Sequence, residues 1–260
     1  MGVLESRLRR LREDGGKAFV PYVTGGLPGV DAQLLRALAA AGADAIEVGV
    51  PHSDPIMDGG VIQEASRIAL EHGTHPRDVL ATIAEAQLDV PVAVMTYANP
   101  VYRLGSEVFC DALVDAKVAG VIVPDLPVDE AGELRGLADA RDLDTVLLAA
   151  PGADEGRLDA IAAGSRGFVY CVATYGVTGA RAELDASASA LVGALRVRTD
   201  LPLLVGVGIG TPDQAAAACG FADGAIVGSA IVARLLDAGP GGVVELAREF
   251  RAAIPQTVTA

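Results

Sequence analysis

AAAGADAIEVGVP (residues 39–51) runs from small residues through a turn glycine into a short Ile/Val run that ends at Gly and Pro. The same phrase returns as AKVAGVIVPDLP (116–127) and ACGFADGAIVGSA (218–230). Looser copies are KAFVPYVTGG, VPVAVMTYANP, LDTVLLAAPGA, SRGFVYCVATYG and LPLLVGVGIGTP. Short apolar runs bounded by turn residues read as buried strands, and the amphipathic stretches between them read as helices. Eight such runs lie about thirty residues apart, which implies right-handed βαβ units and a parallel sheet. Eight units in 260 residues fit an α/β fold of the closed (β/α)₈ (TIM) barrel type, as one domain over residues 1–260. Strands are expected near 18–24, 44–49, 91–96, 120–124, 144–149, 167–172, 202–207 and 222–227. An additional N-terminal helix precedes the first, and residues 61–88 read as two helices broken at HGTHP.

The formal charge of −14 opposes nucleic-acid binding, which needs a basic surface. Leu4, Leu8 and Leu11 recur at helical spacing, so the arginines from Arg7 to Arg12 are expected on the solvated face of the first helix. About half the residues are apolar, many of them Ala and Gly, and no uncharged stretch reaches the ~18 residues of a membrane span. No signal-peptide pattern opens the chain, so a cytoplasmic enzyme is expected. Cys110, Cys171 and Cys219 are far apart in apolar context and read as reduced core thiols without metal spacing.

In such a barrel chemistry sits at the C-terminal ends of the strands. Strand alternation puts Ala45, Glu47 and Gly49 on one face and Ile46, Val48 and Val50 on the other. The bulky face suits helix packing, so Glu47 points inward near the barrel mouth, and Asp58 lies in the loop above it. A strand-end glutamate could equally be a hydrogen-bonded structural residue. Gly206, Gly208, Gly210, Gly228 and Ser229 would gather backbone N–H groups beside a helix N-terminus, a phosphate site of the kind many barrels carry after strands 7 and 8. GVGIG alone weakly resembles a dinucleotide fingerprint, but no ribose-binding acid follows in a further βαβ unit. The chain's two lysines, Lys17 and Lys117, precede strands and so lie at the wrong end for Schiff-base chemistry. His52 is the one histidine near the mouth, too few for a metal ligand set. Carboxylate acid–base work on a phosphorylated substrate remains.

EVGVPHSDPIMDGGVIQ (47–63), TYANP (96–100), VPDLPVDE (123–130), YGVTGAR (175–181) and GVGIGTPDQ…GAIVGSAIV (206–232) together resemble the tryptophan synthase alpha subunit family, in order and over nearly the whole chain. FVPYVTGGLPG (19–29) matches its first strand. The resemblance implies a (β/α)₈ barrel that cleaves indole-3-glycerol phosphate to indole and glyceraldehyde 3-phosphate without a cofactor. By motif, Glu47 would be the general acid–base and Asp58 would take the indole N–H proton. Tyr22, Met95, Tyr97, Ile122, Tyr170, Val207 and Ile226 would surround the indole. Gly179, Gly208, Gly228 and Ser229 would hold the phosphate. Residues 173–181 would form a lid in which Thr178 contacts Asp58. The family partner is a pyridoxal-phosphate beta subunit in an alpha-beta-beta-alpha assembly, with Pro51, Asp54, Asp125 and Pro127 at the interface.

Four positions depart from the family pattern: His52 for an aromatic Phe or Tyr, Gly60 for proline, Ala173 for serine and Leu27 for an acid. They bear on lid closure and on coupling to the partner. A free-standing lyase that releases indole, a non-catalytic regulatory subunit binding the phosphate ester, and a barrel isomerase of phosphorylated sugars are the other readings.

Overall fold

Helix α1 (Val3–Glu13) precedes strand β1 (Ala18–Thr24) in the computed structural model, which describes residues 1–173 and 181–256, with 181–185 as backbone alone. Next come α2 (Ala32–Ala40), β2 (Ile46–Gly49), α3 (Gly60–Glu71) and α4 (Pro76–Ala86). They lead to β3 (Val92–Met95), α5 (Ala98–Leu104), α6 (Ser106–Asp115) and β4 (Gly120–Ile122). Then follow α7 (Gly132–Asp139), β5 (Asp144–Ala149), α8 (Glu155–Gly164), β6 (Val169–Val172) and α9 (Arg181–Arg196). The chain finishes through β7 (Leu203–Gly206), α10 (Pro212–Cys219), β8 (Gly224–Val227) and α11 (Ser229–Ala253). The strands pair in parallel in sequence order, and β8 closes on β1, giving the expected barrel.

Two apolar layers follow from strand parity. Ala45, Ala93, Ile122, Tyr170, Leu204 and Ile226 fill the barrel interior, and Leu4 and Leu8 of α1 join them. Ile46, Val48, Val94, Val121, Val205 and Val227 pack outward beneath the helices. Local signals set the helix limits. Asp31 caps α2 by accepting the Leu34 N–H at 2.8 Å, and Asp154 caps α8 through the Arg157 N–H at 2.8 Å. The break at HGTHP is real: Gly73 takes a positive φ of 79°, and Pro76 then opens α4. Cys110, Cys171 and Cys219 are buried as free thiols, and no described helix is long and apolar enough to cross a membrane.

The N-terminal end of the barrel holds acids of a structural kind. Asp44 accepts the Phe19 N–H (3.0 Å) and the Arg251 guanidinium (2.7 Å). Asp223 accepts the Leu203 N–H at 2.9 Å and pairs with Arg196 at 2.7 Å, while Asp144 accepts the Glu5 N–H at 3.0 Å. Three arginines of α1 join this ring, while Arg10 stays on the expected solvated face, its only contact among the described residues being to the Ser6 carbonyl at 3.4 Å. Arg9 pairs with Glu5 and donates to the Asp200 carbonyl, and Arg7 and Arg12 reach Asp44 and Asp223. Lys17 lies here too, donating to the Ala222 carbonyl at 2.7 Å.

Candidate active site

Glu47 lies on β2 opposite Tyr22 of β1 and Ala93 of β3, at the opposite end from the structural acids. It is 1% exposed, and its Oε2 has no hydrogen-bond partner among the described residues. A buried carboxylate without a donor is expensive to ionise. Burial pushes the Glu47 carboxyl up to about 8, and the charge of Asp58 adds to the effect. Asp58, half-buried in the β2–α3 loop, is raised to about 6 by burial, against which the Tyr97 hydroxyl works by stabilising its charge. Glu47 thus feels the charge of Asp58, and the two acids hold protons of different affinity.

Tyr97 fixes the loop. Its hydroxyl donates to Asp58 Oδ2 at 3.1 Å and accepts the Met57 N–H at 3.0 Å. The His52 ring stacks on the Tyr97 ring at 4.6 Å between centroids and 14° between planes. Gln63 on α3 holds the far side, donating to the Asp58 carbonyl at 2.8 Å.

The other indole-pocket candidates gather around these acids. Tyr22 and Tyr170 are buried, and their hydroxyls are pushed above the ordinary tyrosine range by burial first, with the charges of Asp58 and Glu47 adding to it. Ile122 and Ile226 are buried in the barrel interior and Met95 packs partly buried against it. Two glycines make the tyrosines possible. A Cβ on Gly49 would stand 2.1 Å from the Tyr22 hydroxyl, and one on Gly206 would stand 2.3 Å from that of Tyr170. Each ring therefore crosses the space in front of its neighbouring strand.

On the β7 and β8 side, Val207 is 47% exposed at a φ of 68°, followed by Gly208 at 94°. A β-branched residue in the left-handed region stores strain, a feature that clusters where backbone must meet a ligand. Gly228 precedes α11, and Ser229 begins it with an exposed side chain. The N–H groups of that first turn have no intrahelical acceptor. Gly239, at a φ of 67°, breaks α11 and is followed by Pro240, so the part of the helix that begins at the site ends before Gly239. Thr178 and Gly179, with most of the lid stretch, lie outside the described residues; Ala173 leads into it and donates its N–H to the Gly206 carbonyl at 3.0 Å.

The four interface candidates differ in what they offer. Asp54 and Pro127 are exposed, whereas Pro51 is buried. Asp125 is exposed, and it also accepts the Ala98 N–H at 2.9 Å, which starts α5. Sequence reasoning missed the exposed apolar side chains Ile56, Met57, Tyr102 and Leu104. The Ile-Met pair inside the otherwise polar DPIMD was the available signal. It also missed the His52–Tyr97 stack and the roles of Gly49 and Gly206. Among the departures, Leu27 is buried in the outer apolar layer, and a side chain added at Gly60 would meet open space.

A sequence model described as tryptophan synthase alpha chain matches residues 8–254. The tryptophan synthase alpha chain of Prochlorococcus marinus is 44% identical over 252 residues, covering 95% of this chain and 92% of that one. That of Streptomyces coelicolor is 45% identical over 240 residues, covering 91% and 89%. A tryptophan synthase structure from Mycobacterium tuberculosis superposes with a TM-score of 0.89 at 39% identity, covering 98% of each chain. A tryptophan synthase subunit alpha from Legionella pneumophila does so with a TM-score of 0.89 at 31% identity, again over 98% of each. Matched by the family model over residues 8–254 and by relatives at 44–45% identity over more than nine-tenths of its length, this chain belongs to the tryptophan synthase alpha chain family.

Proposed function

We propose that this chain cleaves indole-3-glycerol phosphate to indole and glyceraldehyde 3-phosphate, with Glu47 and Asp58 as its proton carriers. The observation that carries the reading is the pair itself: Glu47 buried with an oxygen unpartnered among the described residues, Asp58 fixed by Tyr97, and Glu47 feeling the charge of Asp58. Near neutral pH Glu47 holds its proton and Asp58 is mostly ionised. Glu47 gives its proton to the ring carbon that bears the glycerol chain, while Asp58 takes the proton of the ring nitrogen. The ring is then an indolenine. Glu47, now a carboxylate, removes the proton of the adjacent glycerol hydroxyl, and that C–O bond becomes a carbonyl. The carbon–carbon bond breaks, its electrons restore the aromatic ring, and Asp58 returns the proton to nitrogen. The ring thus takes the electrons that a Schiff base or metal would stabilise in other aldol cleavages.

Tyr22, Met95, Tyr97, Ile122, Tyr170, Val207 and Ile226 enclose the indole in this reading. Gly208, Gly228 and Ser229 bind the phosphate, aided by the positive end of α11, and Thr178 and Gly179 complete the site from the lid. A pyridoxal-phosphate beta subunit is the partner, in an alpha-beta-beta-alpha assembly, meeting the 51–58 loop, Asp125 and Pro127. The exposure of Ile56 (72%), Met57 (43%) and Tyr102 (59%) supports a covered face there.

Indole release by the purified chain, with and without a beta subunit, tests both parts. Slow release accelerated by the partner is expected. Fast release indifferent to the partner would make the chain a free-standing lyase, and no release in either state would remove the lyase assignment.

A further inference from the structure

Outside the barrel mouth, a groove of about 750 Å³ lies between the α3–α4 pair and the α5–α6 pair. Its size is that of a small-molecule site. Val50, Val94 and Phe109 form a buried apolar floor, flanked by Leu70 and Leu80. The rim carries Arg77, Arg103, His52 and His75, and none of the lining residues is acidic. In a chain with 34 acids and 20 bases, a depression holding two arginines and two of the three histidines is a local reversal of charge. Arg77 meets only its own neighbour Asp78, at 3.7 Å, and Arg103 forms no ion pair among the described residues. At the base, the buried Thr96 hydroxyl has one long contact, 3.4 Å to the carbonyl of the next residue.

We infer that this groove binds an amphipathic organic anion, with a flat aromatic body on the Val50–Val94–Phe109 floor and a single carboxylate head at Arg103. Apolar burial supplies affinity and the cationic rim selects the charged form. The groove touches the active site at one point, and its Pro51–Ser53 wall belongs to the loop proposed above to meet the beta subunit. His52 forms part of its wall and stacks on Tyr97, which holds Asp58. An occupant pressed against His52 therefore biases the 51–58 loop, to the extent that it binds the two loop positions unequally. Binding does not depend on the reaction proposed above; only its effect on turnover rests on that reading.

Calorimetry on the full chain with naphthalene-1-acetate as the probe tests this. One equivalent is expected to bind, with the uncharged naphthalene-1-acetamide at least tenfold weaker. Arg103→Glu should lose tenfold or more, Arg103→Lys should keep most of the affinity, and both should release indole normally. Saturating inorganic phosphate and Glu47→Gln should leave the probe's affinity unchanged. No binding at millimolar probe, equal affinity for acid and amide, or indifference to Arg103→Glu would overturn the site. So would displacement by phosphate or loss in Glu47→Gln, which would place the probe in the barrel mouth. Separately, the probe should change indole release at least twofold in the parent chain and leave it unchanged in His52→Ala; an equal response in both would overturn the link through His52.

Discussion

The Tyr97 hydroxyl sits between Asp58 and the backbone of Met57, donating to the carboxylate at 3.1 Å and accepting the N–H at 3.0 Å. One side chain thus sets both the place of the acid and the path of the loop that carries it. Tyr97→Phe removes both bonds while keeping the ring that His52 stacks on. A hydrogen bond to a charged group is worth about 1.5–3 kcal/mol, so kcat should fall on the order of 10- to 100-fold. The same bond lowers the Asp58 pKa, so its removal should move the acidic limb of the pH–rate profile upward from about 6. A variant with an unchanged acidic limb would show that Tyr97 does not act on Asp58.

The two acids set a pH window. Asp58 must be ionised and Glu47 protonated, so kcat/KM should be bell-shaped, with limbs near 6 and 8. These limbs belong to the coupled pair. A rate still rising above pH 9 would contradict the protonated role of Glu47.

Stability carries the same signature. The folded Glu47 pKa, about 8, stands above its ordinary 4.5. Between those values the folded chain holds more protons than the unfolded one, so this group makes stability fall as pH rises through the window and has no effect below it. Glu47→Gln should therefore raise stability at pH 8, by a few kcal/mol at most, with Tm rising accordingly, and change both little at pH 4. Thermal melts at both pH values check this.

Gly49 is a packing requirement of Tyr22. A Cβ there would lie 2.1 Å from the hydroxyl and 2.6 Å from the ring carbon bearing it. Gly49→Ala should cost about 1–3 kcal/mol, the usual range for overpacking, and raise KM as the ring is displaced. Tyr22→Ala in the same chain should recover part of that stability, a non-additivity expected of residues in contact. Additive losses would mean that the methyl group meets something else.

Gly60 opens α3, and a side chain added there would touch nothing. Proline is favoured at the first helical position and reduces the freedom of the unfolded chain. Gly60→Pro should stabilise by about 0.4–1 kcal/mol and make indole release less dependent on the partner. Denaturant melts and paired rate measurements test both effects.

Much of this was legible because strands repeat with a period of two. Ala45, Glu47 and Gly49 face the interior for the same reason that Ile46 and Val48 do not, and this fixes which end and which face Glu47 occupies. Strand limits were less legible where side chains compete with the ladder. β2 begins at Ile46 rather than residue 44 because Asp44 is committed to the Phe19 N–H and Arg251. β4 ends at Ile122 because the chain turns at once, with the Leu126 N–H on the Val123 carbonyl at 3.1 Å, and Pro124 has no N–H to give. Arg7, Arg9 and Arg12 looked like a solvated face because helical spacing says nothing about acids at distant strand entrances. The His52–Tyr97 stack joins two loops 45 positions apart with no periodicity to announce it. The exposed Ile56 and Met57 were visible as apolar letters in a polar loop, but only the fold shows that they remain uncovered.

The most direct measurement is indole release from indole-3-glycerol phosphate by the parent chain, Glu47→Gln and Asp58→Asn, with a beta subunit present and folding verified for each. General acid–base groups contribute roughly 10²–10⁴-fold, so each variant should lose at least a hundredfold in kcat while remaining folded. A folded Glu47→Gln or Asp58→Asn chain that releases indole within a few-fold of the parent rate would contradict the assignment of proton transfer to this pair.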